Sequence, residues 1–115
     1  MARHILALDL KDQPALIEEY KRWHRPGGPP PAIARSIRDA GITGLEIFLS
    51  GNRVMMILEA EDGFSLAAKG QRDAANPEVQ AWERLMWGFQ QALPWAAPGQ
   101  KWIEMDRIYD LADHP

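Results

Sequence analysis

The chain has no cysteine, so neither a disulfide framework nor thiolate chemistry is open to it. No apolar run is long enough to span a bilayer. The first residues, Met1-Ala2-Arg3-His4, lead into a strand-like stretch without the pattern of a signal peptide, and a cytoplasmic protein is expected. There is no basic block. Thirteen Lys and Arg stand against sixteen Asp and Glu, a formal net charge of -3, so neither nucleic acid nor an anionic membrane is a suggested partner. Histidine is scarce: His4, His24 and His114 sit in separate segments, and no H-E-x-x-H, glycine-rich phosphate loop or nucleophile elbow is present. A metal site is therefore only weakly supported, and none is expected. Internal repeats and low-complexity linkers are also missing, and 115 residues suit a single domain spanning 1–115.

What the chain does have in quantity is tryptophan, five in all. Each indole brings roughly 150–250 Å² of flat, amphipathic surface to a core or an interface. The same surface stacks well on the C–H face of a carbohydrate ring. Packing and a sugar platform are both open at this point.

Residues 4–10 alternate, with Leu6, Leu8 and Leu10 on one face and Ile5, Ala7 and Asp9 on the other, which predicts a strand. Asp12 is a candidate cap and Pro14 a first-turn residue for a helix over 14–24, with Leu16, Ile17 and Tyr20 as its apolar stripe. A stiff bend over 25–31 follows, containing Pro26, Gly27, Gly28 and Pro29 to Pro31. A second helix is predicted over 31–40, with Ile33 and Ile37 on one face and Gly41 as its stop. Two strands, "GLEIFLS" and "RVMMILEAE", flank a Ser50-Gly51-Asn52 hairpin turn. Asp62 or Ser65 can start a further helix. Another is predicted over 76–93, capped by Asn76, carrying Val79, Trp82, Leu85, Met86, Phe89 and Leu93 at helical spacing, and closed by Pro94. A last strand is expected over 101–111.

This order is the β-α-β-β-α-β plan of an α+β, ferredoxin-like sandwich. Its helices lie on one side of a four-stranded antiparallel sheet. The bare face, expected to carry Phe48, Met55 or Met56, and Trp102, is too apolar for water. A second copy would cover it, so a homodimer closing a two-sheet barrel is expected.

Several residues are candidates for chemistry. Tyr20 and His24, four apart on a helix, share a face. A phenol beside an imidazole that titrates near neutrality makes a proton-handling pair. The alternative is a half-buried core tyrosine and a helix-end histidine favoured by the dipole. Glu46 interrupts an apolar strand on the face opposite its leucines. There it is either a carboxylate buried under the partner, with the raised pKa that burial brings, or an edge glutamate in solvent. Asp9 has the matching face of the first strand and could converge with Glu46 on one cavity. Trp82 belongs to the last helix's stripe, while Glu83 beside it falls off the stripe. Arg107 is a candidate partner for a carboxylate or a substrate oxygen, or half of a surface ion pair.

Taken together, "EEYKRWH", the proline-rich bend, "GI" before a strand, "NPEVQAWERLM" and "DRIYDL" resemble the L-rhamnose mutarotase family over nearly the whole chain. The resemblance implies a dimeric ferredoxin-like α/β barrel that interconverts the anomers of a free deoxyhexose without a cofactor. It implies His24 as proton donor, Tyr20 as a sugar contact, and Trp82 as the first of two adjacent pocket tryptophans. The second is Glu83 here. Leu45 stands where a tyrosine is expected, and Pro29-Pro30-Pro31 replaces an expected Trp-Pro-Glu. These departures fit a sister branch acting on L-fucose, with Glu46 and Glu83 as extra carboxylates for a different hydroxyl pattern. The expected mechanism pairs His24 with Glu46 or Asp9. The competing class is a dimeric ferredoxin-like ligand-binding or monooxygenase-type protein.

Overall fold

The computed structural model describes residues 2–115. It runs β1 (Ala2–Leu10), α1 (Pro14–Trp23), α2 (Pro31–Asp39), β2 (Ile42–Ser50), β3 (Arg53–Ala60), α3 (Leu66–Ala74), α4 (Pro77–Trp87), β4 (Gln90–Gln91), β5 (Ile103–Glu104) and a short 3₁₀ turn at Leu111–Asp113. The sheet order is β2-β3-β1-β4, with β5 also on β1, and every pairing is antiparallel. This is the expected ferredoxin-like α+β arrangement.

Alternation along β1 sorts the sheet into two faces. Leu8 pairs with Val54, Leu6 with Met56, and in turn Ile47 with Met56. These side chains meet the helices. Leu8, Leu10, Tyr20, Val54, Met86 and Phe89 form one buried cluster, and Leu6, Ile42, Leu58 and Ala60 a second. On the other face lie Ile5, Ala7 and Asp9, with Met55, Ile57 and Phe48 in the same rows. Phe48 is 48% exposed. Of the residues expected on this bare face, Phe48 and Met55 are there. Met55 is thus the methionine of the two alternatives that faces this side, while Trp102, also expected here, packs with Met56 against the helix-side core.

The helix ends follow local chemistry. Asn76 accepts hydrogen bonds from the N–H groups of Glu78 and Val79, and Ser65 accepts one from Ala68. Asp12 does not cap α1; Gln13 holds that position without a side-chain bond, and Pro14 starts the turn. Gly41 stops α2 region backbone with φ 91°, a value that suits glycine.

The last quarter of the chain departs from expectation. The helix predicted to reach residue 93 stops at Trp87, with Gly88 as its cap. Glycine is a poor helix residue, and past it Gln90 pairs with Leu10. Phe89 and Leu93 remain buried without being helical. The strand predicted over 101–111 shrinks to Ile103–Glu104. The fourth sheet position is thus shared by two short strands, β4 at the C-terminal end of β1 and β5 at its middle. Extending β5 in register would set Arg107 opposite Arg3, and like charges directly across a ladder are unfavourable.

Candidate active site

α1 ends where the bend begins, and this places His24 as its C-cap residue, half-buried. Its Nδ1 lies 2.7 Å from the backbone carbonyl oxygen of Tyr20. A carbonyl only accepts, so Nδ1 carries the hydrogen and donates it. In the neutral ring Nε2 is then the free acceptor, the atom able to take a proton and give it back. The Tyr20 and His24 rings lie 4.3 Å apart. On its other side His24 meets the edge of Trp82 at 5.8 Å, and Trp82 in turn meets Trp23 at 5.9 Å.

Tyr20 is buried, and its hydroxyl accepts a hydrogen bond from Nε2 of Gln90 at 3.3 Å. Burial pushes the phenol pKa up from 10.0, and the Gln90 bond opposes this only in part. Tyr20 is therefore a neutral phenol at any physiological pH.

A cavity of about 410 Å³ opens between the helix face of the sheet and α2, α3 and α4. Its size is that of a small-molecule site. The walls are mostly apolar, including Met86, Trp102 and Trp82, with Lys69, Asp73, Glu83 and Lys101 as polar groups. Lys69 and Asp73 form an ion pair along α3, and Gln80 donates to Glu83 at 3.3 Å. His24 and Tyr20 are not on the cavity wall. They meet it through Trp82 and Gln90, which are. A second concavity, about 640 Å³, lies on the open sheet face around Phe48, Met55 and Met105.

The structure thus gathers Tyr20, His24, Trp82 and Glu83 on the helix side. It does not bring Asp9 and Glu46 to them, or to each other. Both carboxylates belong to the open face. Glu46 shares a row with Ile57 and Ile5, while Asp9 lies four residues further along β1, a separation of roughly 16 Å from strand rise and spacing. Asp9 is also taken: Arg53 donates to it from Nε at 2.7 Å and from an η nitrogen at 3.2 Å, an arrangement that raises the Arg53 pKa. Glu46 is exposed in the single protomer. Neither is a counterpart for His24 within one protomer. Arg107 lies beyond β5 and pairs with Asp110 at 3.1 Å, well exposed.

Gln90 is the site residue that sequence reasoning passed over. The apolar spacing of Phe89 and Leu93 carried the helix period across it. The signal was Gly88, followed by a polar pair between two buried apolar residues. Among the described residues no group of three or more His, Cys, Asp and Glu is placed to hold a metal, and no helix is long and apolar enough to cross a membrane.

Comparison with known proteins shows the family. A family model described as L-rhamnose mutarotase matches residues 3–111. An L-fucose mutarotase of Xanthomonas campestris pv. campestris is 50% identical over 113 residues, covering 98% of this chain and 90% of that protein. A UPF0734 protein of Dictyostelium discoideum is 34% identical, covering 91% of this chain and 86% of that protein. An L-rhamnose mutarotase from Formosa agariphila has the same fold, with TM-score 0.69 at 18% identity over 96% of this chain and 98% of that one. Tetracenomycin F2 cyclase from Streptomyces glaucescens shares the fold at TM-score 0.63 and 13% identity over the same shares of each chain. By the family match and the two full-length relatives, this chain belongs to the L-rhamnose mutarotase family, sugar isomerases that exchange anomers.

Proposed function

We propose that this protein interconverts the α and β anomers of a free 6-deoxyhexose, L-fucose by preference and L-rhamnose next, with His24 as its acid–base residue. The observation that carries the chemistry is the Nδ1–H bond from His24 to the Tyr20 carbonyl, which leaves Nε2 as the proton-exchanging atom. The likeness to an L-fucose mutarotase over nearly the full chain supports the choice of sugar.

Mutarotation needs one proton removed from the anomeric hydroxyl and one delivered to the ring oxygen. As the C1–O5 bond breaks, C1 becomes the aldehyde carbon. Rotation about C1–C2 and closure on the other face return both protons. His24 serves one of these transfers. Glu83, the carboxylate on the cavity wall next to Trp82, is the candidate for the other. Trp82 supplies a flat face for the sugar, and Tyr20 acts as a neutral hydroxyl contact. Positioned acid–base groups give about 10²–10⁴-fold each, which is enough for a reaction that already proceeds in water. The protein works as a homodimer joined through the open sheet face, and it acts in the cytoplasm on free monosaccharide.

Saturation-transfer NMR of the anomeric protons tests the assignment. His24→Asn is expected to lose most of the enhancement with L-fucose, about 10²-fold or more, and to keep its circular dichroism spectrum. Near-normal exchange in that variant would sink the role given to His24.

A further inference from the structure

We infer that Gln90 reads the sugar: its side-chain amide holds the Tyr20 hydroxyl at one end and a ring hydroxyl of the substrate at the other. This rests on the mutarotase reading above and extends it to a residue that the reading does not use.

Gln90 lies opposite Leu10 in the ladder of β4 with β1, so its side chain stands on the helix side of the sheet. It is only 6% exposed. A buried primary amide has two N–H donors and one carbonyl acceptor to satisfy. One donor goes to Tyr20. Among the described residues, no group donates to the amide oxygen, yet no fully buried side-chain polar atom is left without a partner. The free end of the amide is therefore open, and the space that Gln90 borders is the 410 Å³ cavity.

Its surroundings give that free end its meaning. Lys69, Asp73, Glu83 and Lys101 are all partly exposed, whereas Gln90 sits among buried side chains such as Met86 and Leu6. An amide offers both a donor and an acceptor, as a sugar hydroxyl does. In an apolar wall a hydroxyl of the wrong configuration leaves both groups unpaired, and this is how a site rejects a close analogue. L-Fucose and L-rhamnose differ in configuration at C2 and C4. One amide, held at a set rotation by Tyr20, meets the hydroxyl of one epimer and misses that of the other.

The test is the concentration dependence of anomer exchange for both sugars, in the unmutated protein and in Gln90→Leu. KM for the preferred sugar is expected to rise about ten- to a hundredfold. KM for the other sugar and kcat for both are expected to change little, so the preference narrows. Gln90→Met, close to glutamine in length, gives the same comparison where leucine disturbs the thermal melt. An equal loss for the two sugars, a fall in kcat alone, or no change in preference overturns the inference and leaves the mutarotase reading standing. No exchange of either sugar by the unmutated protein overturns both.

Discussion

At the scale of single residues, Tyr20 carries a dual duty. It belongs to the main core cluster and also touches His24 and Gln90. Burial raises its pKa above 10.0, and the sign of the pH effect follows. Below pH 10 the phenol is neutral in the folded and unfolded chains alike, and its contribution is fully present. Above that the unfolded chain ionises while the folded one resists, so stability falls as pH rises toward the folded pKa. Urea melts at about pH 8 and about pH 11 are expected to show this alkaline loss in the unmutated protein, and Tyr20→Phe is expected to lose stability less steeply between them. At the lower pH the same substitution strands the Gln90 donor and should cost about 1–3 kcal/mol. A pH slope unchanged by the substitution would show that Tyr20 is not the group responsible.

At the scale of elements, the bend between α1 and α2 is what sets His24 in place. Gly28 donates from its N–H to the Arg25 carbonyl at 2.8 Å, and a Cβ added there would lie 2.3 Å from the carbonyl oxygen of Trp23. That neighbour is backbone one residue before His24 and cannot swing aside. Gly28→Ala is expected to lower stability by about 1–3 kcal/mol and to cut anomer exchange by shifting the imidazole. A thermal melt and the NMR exchange assay check the two parts, and an unchanged melting temperature would refute the close approach. This bend was legible in the sequence because proline and glycine punctuate a chain whatever its tertiary setting. The Tyr20–His24 pairing was legible because four residues make one helical turn. The convergence of Asp9 with Glu46 was misread for a physical reason: alternation tells which face a strand residue takes, but only register tells its row. Gln90 was hidden because apolar spacing ran on past Gly88, where the chain leaves the helix to pair with β1. Trp102 was misassigned because it lies just before the two residues of β5 that pair with β1, where no strand alternation fixes its face.

At the scale of the molecule, the two sides of the sheet divide the work. Tyr20, His24, Trp82 and Gln90 all lie on the helix side of the sheet, beside the cavity that Trp82 and Gln90 help to line. The opposite face carries Ile5, Ala7, Phe48, Met55 and Ile57 with no helix over it. The chain beyond β5 adds more uncovered apolar surface: Ile108 is 95% exposed and Leu111 73%. Uncovered apolar surface of this kind marks an association surface, and a sheet face of one copy meets its own equivalent naturally about a two-fold axis. The homodimer proposed on this ground joins the sheet faces that lie away from His24 and Gln90. Light scattering should give the unmutated protein twice the 13.0 kDa chain mass. Met55→Glu, a charge at the middle of that face, is expected to return the mass of one chain and to lower the melting temperature. Because His24, Trp82, Glu83 and Gln90 lie on the side of the sheet away from Met55, the separated variant should retain most of its exchange activity at temperatures where it stays folded. A folded, monomeric and inactive Met55→Glu would mean instead that the partner reaches into the site. An unmutated protein that already scatters as a single chain would remove the dimer from the account altogether.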